Sequence, residues 1–361
     1  MKTVSHPCYD AIVLGAGPAG SAAARQLALA GYSVLLIDRA VFPRDKVCGC
    51  TLNAHAVQML HQLGLSDSLA QRARPASNLA LCFRHRRISL ALHGSVTISR
   101  RELDSALANA AIAAGAVFRC GCRARIISHA APDVELTEGR GDRYRVRARL
   151  IIDARGLAGG GHRRIAPMPR FGAGALVDAD LLAYRQEDVL LSVAGSGYAG
   201  IARLRDGRSA VAAALLPGAA GSVAGNIAAL LAPAGVHREF VEAVSWQGTP
   251  AFASYAESLI NGNTLAVGDA AAYVEPFTGE GIAWALESAL AAAELVCDSL
   301  QKNQPSLLQR WPTVHSHLFR KRMRRCRWVT QSLRKTWLLS ALAQTLPVSR
   351  PLIQKLVDEI S

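Results

Sequence analysis

The first apolar run of the chain, Tyr9-Asp10-Ala11-Ile12-Val13-Leu14, has the length of a buried strand and stops at Gly15-Ala16-Gly17-Pro18-Ala19-Gly20. From Ser21 to Ala30 the residues turn to Ala, Leu and Gln without a breaker, which predicts a helix; Tyr32 to Ile37 reads as a second strand ending at Asp38. A further apolar run leads from Arg149 to Asp153. Another starts at Thr264 and passes through Gly268 and Asp269 towards an Ala/Leu-rich helix that lasts to about Leu300. Between these lie short β-type runs, Phe171 to Asp178 and Val189 to Val193, and two strands around Arg205-Asp206-Gly207-Arg208, a D-G hairpin signal. The uncharged stretch from Ser209 to Val236 is broken by Pro217, Gly218, Gly221, Gly225, Asn226 and Pro233, so it predicts a strand and a short helix rather than a membrane span.

Two stretches match G-x-G-x-x-G. At residues 15–20 the motif has a strand before it and a helix after it. Gly15 permits the turn, Gly17 lets backbone approach a pyrophosphate, and Gly20 lets helix pack on strand, with Pro18 and Ala19 opening the helix whose free N–H groups face the anion. Asp38, eighteen residues past Gly20, is placed to accept hydrogen bonds from a ribose, and Arg39 follows it in the same site. The second match, Gly195, Gly197 and Gly200, runs into the hairpin instead of a helix, so it predicts no anion site.

Half of the 361 residues are hydrophobic and 19% are charged, which suits a large buried core and excludes disorder on a domain scale. Eight scattered cysteines do not form a secreted disulfide framework, and no cleavable signal peptide precedes the first apolar run, so a cytoplasmic location is expected. Cys48-Gly-Cys50 and Cys120-Gly-Cys122 lack zinc spacing and predict no metal site; Cys120 and Cys122 are expected on one face of a strand. The net charge of +14 is concentrated: twelve Lys or Arg and no acid lie between Ser299 and Val357, which leaves residues 1–298 at +4 once Asp358 and Glu359 are counted. Arg320 to Arg327 holds six cations in eight residues. Around it Trp311, Val314, Leu318, Met323, Cys326, Val329, Leu333 and Trp337 recur mostly three or four apart, the pattern of a basic amphipathic helix. Such a helix either packs its stripe on the body of the protein or meets an anionic membrane surface or an acidic protein; nucleic acid is disfavoured.

The pairing of Gly15-Ala-Gly-Pro-Ala-Gly20 with Val267-Gly-Asp-Ala-Ala-Ala-Tyr-Val-Glu-Pro-Phe-Thr-Gly-Glu-Gly-Ile282 resembles the FAD-dependent oxidoreductases of the para-hydroxybenzoate hydroxylase type. The resemblance implies FAD as cofactor. It places Gly268, Asp269, Pro276, Gly279, Gly281 and Ile282 along the flavin, with the helix start aimed at the electron-rich ring. Arg149 to Gly156 resembles the superfamily's middle strand and Asp-Gly motif, with Ala154 and Arg155 separating Asp153 from the glycine. Phe42-Pro-Arg-Asp-Lys-Val-Cys-Gly49 and Ile98-Ser-Arg-Arg-Glu-Leu-Asp104 resemble the geranylgeranyl reductase branch more finely, which implies Arg44 and Arg100 along the FAD and Cys48 with Gly49 near its ring and the substrate.

Reductases of that branch carry Tyr-x-Trp-x-Phe-Pro on a substrate-domain strand. Here Tyr198 stays, and Gly200, Ala202 and Arg203 replace the other three positions. The implied fold is α/β: a Rossmann-like FAD-binding domain of the glutathione-reductase type in three pieces, 1–75, 99–163 and 262–300. A mostly antiparallel substrate sheet is inserted at 76–98 and 164–261, and a helical tail follows at 301–361. Cys48, Tyr198 and Glu280 are the candidate catalytic residues, with Glu275 also beside the flavin loop. One dinucleotide site means that NAD(P)H, as electron donor, binds transiently. The substrate is expected to be small and apolar, free or carrier-bound. The opened wall beside Tyr198 tilts the expectation to hydroxylation of an aromatic or polyketide-like molecule; the alternatives are reduction of a carbon–carbon double bond in an isoprenoid or other lipid, and a non-catalytic flavin protein with a nucleic-acid-binding tail.

Overall fold

In a computed structural model, which describes residues 8–83, 86–139, 141–167, 169–178, 188–218, 221–252, 254–275, 279–333, 351 and 353–355, the first apolar run becomes β1 (Cys8–Leu14). Its residues from Ala11 onward are buried on both faces, as a central parallel strand requires. α1 (Pro18–Leu29) opens on a proline, where a missing N–H is no loss, and β2 (Val34–Ile37) follows. Next come β3 (Thr51–Leu52), α2 (Ala54–Gln62), α3 (Ser66–Arg72), β4 (Arg74–Phe83), β5 (Arg86–Thr97) and α4 (Arg100–Ala113). The chain continues through β6 (Val117–Arg119), β7 (Arg123–Ser128), β8 (Asp133–Glu138), β9 (Asp142–Asp153), β10 (Arg163–Ile165), β11 (Phe171–Asp178), β12 (Val189–Ala194), β13 (Gly197–Arg203) and β14 (Arg208–Leu215). It ends with α5 (Val223–Leu231), α6 (Arg238–Glu242), β15 (Gln247–Ala251), β16 (Ser254–Ala256), β17 (Ile260–Asn261), β18 (Thr264–Ala266), β19 (Ala272–Tyr273), α7 (Gly281–Gln301) and α8 (Trp311–Leu333).

One sheet runs β17-β18-β9-β1-β2-β6, parallel from β18 to β6, with the β7–β8 hairpin joined through β9. Helices α1, α4 and α7 cover one of its faces. Ala22 and Ala23 of α1 and Ala285, Ala289 and Ala292 of α7 share that core, and their small side chains let the helices approach closely. On the other face Ile12, Leu14, Leu35 and Ile37 pack on Val134, Leu136 and Val146.

A second sheet runs β15-β11-β14-β13-β12-β4-β5-β3, antiparallel except where β12 meets β4. α5 and α6 cover its outer face through Ile227, Leu230, Leu231 and Val241. Its inner face presents Leu81, Phe83, Val193, Tyr198 and Ala214 to Phe252 and to Val329 of α8. The small sheet β10-β16-β19 links the two. Gly195, Gly197 and Gly200 belong to the β12–β13–β14 meander, with Gly207 at φ +86 in its D-G turn.

Two sequence expectations are corrected. Cys120 and Cys122 do not share a strand face: they follow the end of β6, where Gly121 at φ +70 turns the chain and leaves Cys120 exposed and Cys122 buried. The buried stripe of α8 is Trp311, His315, Phe319, Met323, Cys326 and Val329, rotated from the expected one, so that Val314 and Leu318 are only partly covered. The rotation follows from an aromatic row, Trp311 to His315 at 5.6 Å and His315 to Phe319 at 4.8 Å, anchored where the Trp311 indole donates to the Ala266 carbonyl. Trp337 lies outside the described residues, and no described helix is long and apolar enough to cross a membrane.

Candidate active site

Gly15 sits at φ +98, and a Cβ there would stand 2.4 Å from the Ala154 carbonyl oxygen; one on Gly20 would stand 1.7 Å from the Gly15 carbonyl. Both glycines are therefore demanded by backbone packing. Gly17 differs: a Cβ there would meet only the guanidinium tips of Arg100 at 3.7 Å and Arg44 at 4.0 Å. The opening above it is thus lined by the amino-terminal end of α1 and by two cations, which is the chemistry of a pyrophosphate cradle.

Asp104 orders those cations. Fully buried on α4, it takes both Nε and Nη2 of Arg100 at 2.9 Å and pairs with Arg44 Nη1 at 2.9 Å. Burial works against the charge of Arg100, but Asp104 and Cys48 hold it firmly protonated. Ser99 caps α4 by accepting the Glu102 N–H at 3.2 Å, which fixes Arg100 at the first helical position. Lys46 reaches into the same opening, its Nζ 3.5 Å from where a Cβ on Gly156 would be; enclosure by the cradle walls and the nearby Arg100 lower its pKa. Neither Asp104 nor Lys46 was singled out from sequence, although both lie inside motifs quoted there and Asp104 stands four residues after Arg100.

Asp38 turns inward: Oδ2 accepts the Ala16 N–H and Oδ1 the Ala40 N–H, both at 2.9 Å, so it braces the glycine turn itself, while Arg39 is exposed. Asp153 likewise serves its own loop, accepting Arg155 at 2.8–3.2 Å and the Gly160 N–H at 2.8 Å; burial would raise its pKa, and these donors lower it.

Gly268, at φ +57, brings the distant motif against α1, for a Cβ there would lie 2.9 Å from Ala19 Cβ. Burial raises the pKa of Asp269 against the pull of Lys46, Arg100 and Arg163. Arg163 clamps this turn by donating to the carbonyls of Asp269 at 2.9 Å, Ala270 at 2.6 Å and Ser254 at 3.1 Å. Among the described residues nothing lies within 4 Å of a Cβ built on Gly279 or Gly281 at the start of α7, and Ile282 is buried behind them. Glu280 accepts the Cys326 thiol at 2.9 Å and so faces α8. Pro276 lies outside the described residues.

Where the cradle meets the second sheet stands Tyr273, with Tyr198, Cys48 and Glu275 as its electrostatic neighbours. Arg170 and Glu275 form an ion pair at 2.8 Å with both side chains 1% exposed, and the Arg170 guanidinium lies 5.4 Å from the ring of buried Tyr198. Burial, then Asp269 and Tyr198, push the Tyr273 hydroxyl well above its ordinary pKa, so it keeps its proton at neutral pH. The Cys50 thiol, against burial and with help from Arg100, lowers the Cys48 thiol to about 6.

Residues 8–204 match the FAD binding domain family. The chain is 31% identical over 345 residues to a menaquinone reductase of Mycobacterium tuberculosis, covering 84% of this chain and 79% of that protein. It is 28% identical over 327 residues to a digeranylgeranylglycerophospholipid reductase of Methanosarcina acetivorans, covering 83% and 77%. A geranylgeranyl bacteriochlorophyll reductase-like protein from Thermoplasma acidophilum shares the fold with a TM-score of 0.76 at 18% identity, over 94% of this chain and 91% of that one.

Proposed function

Since this chain belongs to the FAD binding domain family and is an FAD-dependent oxidoreductase, we propose that it reduces a carbon–carbon double bond in an apolar isoprenoid substrate held between the cradle and the second sheet. The observation that carries this reading is that the likeness to reductases extends over 84% of the chain, past the cradle and into the sheet that walls the substrate. The inner face of that sheet is apolar, with Leu81, Phe83, Val193 and Tyr198 packed on Phe252 and on Val329 of α8.

Bound FAD would supply the hydride at this site. The residues then have distinct tasks. Arg44, Arg100 and the first turn of α1 hold the pyrophosphate, Lys46 and Asp269 flank the path towards the ring, and Gly279 to Gly281 leave room for its flat face. Tyr273, kept protonated by burial, holds the proton that the second carbon of the double bond takes up. The Arg170–Glu275 pair positions Tyr198. NAD(P)H is the proposed donor, and the exposed Arg320, Lys321, Arg324 and Trp328 of α8 suit an anionic membrane surface from which such a substrate would come.

Hydroxylation is the second reading, favoured by one feature. Gly200 and Ala202 share a face of β13 with Tyr198, so small residues stand where the reductase pattern has aromatics. The two readings separate by product mass. The FAD-loaded protein, supplied with NADPH and a menaquinone or geranylgeranyl lipid, should yield a product heavier by two hydrogens without air. A product that appears only in air and carries label from isotopic O2 would overturn the reductase reading.

A further inference from the structure

Cys48 and Cys50 flank Gly49 immediately before β3. The Cys50 N–H donates to Cys48 Sγ at 3.3 Å, and Cys48 packs against Cys50 in one cluster. Cys50 is held at φ +56, in the left-handed region that side chains other than glycine rarely adopt, and this turn folds the two sulfurs together. Gly49 is exposed, with nothing within 4 Å of a built Cβ, so the turn between the sulfurs has space to tighten. The Arg100 guanidinium lies against Cys48, while Cys50 is buried on Leu204 and Ala210 of the second sheet.

We propose that Cys48 and Cys50 are a peroxide-responsive dithiol that closes to a disulfide at the junction of cradle and sheet. The Cys48 thiolate attacks one oxygen of hydrogen peroxide: an S–O bond forms, the O–O bond breaks, and hydroxide leaves to take up the proton that Cys48 had released. The Cys50 sulfur then attacks the Cys48 sulfenic acid: the S–S bond forms, the S–O bond breaks, and the departing hydroxide carries off the Cys50 proton as water. Two thiols lose two electrons, and one peroxide becomes two waters.

The acid–base division supports these roles. Cys48, lowered to about 6, is the thiolate, whereas its hydrogen bond to Cys48 and burial raise Cys50, which keeps its proton until the second step. A low pKa also weakens the thiolate as a nucleophile. Against an ordinary exposed thiol, Cys48 should react about tenfold faster at pH 6, where it holds far more thiolate, and slower than that thiol at pH 8.

The test uses the full FAD-loaded protein with hydrogen peroxide, quenched with iodoacetamide and cut with trypsin, which places both cysteines in the peptide spanning 47–72. At pH 6 this peptide should lose two hydrogens and resist alkylation while exposed Cys8 and Cys120 are still alkylated. Cys50→Ser should stop at a sulfenic acid on Cys48 that dimedone traps, and Cys48→Ser should leave Cys50 reduced. Full alkylation of Cys48 and Cys50 after peroxide, or equal preference at pH 6 and pH 8, would overturn the proposal. The chemistry is read without turnover, so a failed reductase assay leaves it standing.

Discussion

In the cradle, Asp104 is shared by Arg44 and Arg100 at 2.9 Å, Asp38 stands 3.5 Å from Arg44, and Asp269 is drawn on by Lys46 and Arg100, so cations and carboxylates form a shared network. Under the second sheet, Arg170 and Glu275 meet one to one at 2.8 Å across 105 residues of chain. The cations of the cradle are shared among several partners and border the opening above Gly17, whereas the ion pair on the sheet side is matched and closed. A matched, buried pair offers no charge to a ligand; what it can do is hold a position, here that of Tyr198.

The sharpest break in this comparison lies within the glycines. Gly20→Ala, whose new Cβ would stand 1.7 Å from a carbonyl oxygen, should lower stability by about 5 kcal/mol in urea unfolding. Gly17→Ala, facing only guanidinium tips, should change stability by less than about 0.5 kcal/mol yet weaken FAD in a titration about tenfold. Unchanged FAD affinity in the Gly17 variant would remove the cradle from the argument.

On the sheet side, Glu275→Ala strands Arg170 in an apolar core and should cost about 4 kcal/mol of stability, whereas Arg170→Met combined with Glu275→Leu should recover most of it. Both would be followed by urea unfolding without substrate. A milder test addresses α8, which closes that side. His315 is buried and its pKa falls to about 4 by desolvation alone, so the unfolded chain binds the extra proton at moderately acid pH. Stability should be intact above about pH 6.5 and decline by about 3 kcal/mol as pH falls to about 4; His315→Phe should flatten that part of the profile.

A loss smaller than these bears most directly on the cradle. Asp104→Asn should destabilise the flavin-free protein by about 2 kcal/mol, and saturating FAD should return most of that loss, because phosphate oxygens replace the missing carboxylate. A loss that FAD leaves untouched would mean that the two regions hold charge in the same way.

The strand–turn–helix at Cys8–Leu29, the D-G hairpin and the long Ala-rich helix were legible because each is carried by neighbours in sequence. Arg44 and Arg100 were legible through the motifs that hold them. Asp104 sits in the same motif, yet its two partners come from a helix turn and a separate loop. Arg163 was invisible, since all its acceptors but the Gly159 carbonyl lie 91 to 107 residues away. Asp38, read from its position as a ribose ligand, also accepts the Ala16 and Ala40 N–H groups and stands 3.5 Å from Arg44, contacts that the motif alone does not show.

Taken alone, the sequence determined the elements and the glycine positions, because periodicity and backbone hydrogen bonding act over a few residues. Only the tertiary structure decided which charges share a site: that Asp104 serves Arg44 as well as Arg100, that Arg170 finds Glu275, that Glu280 turns to Cys326 on α8, and that Arg100 comes to Cys48. Those partnerships depend on desolvation and on distances between segments that are remote in the chain, and neither quantity exists until the two sheets and α8 have packed.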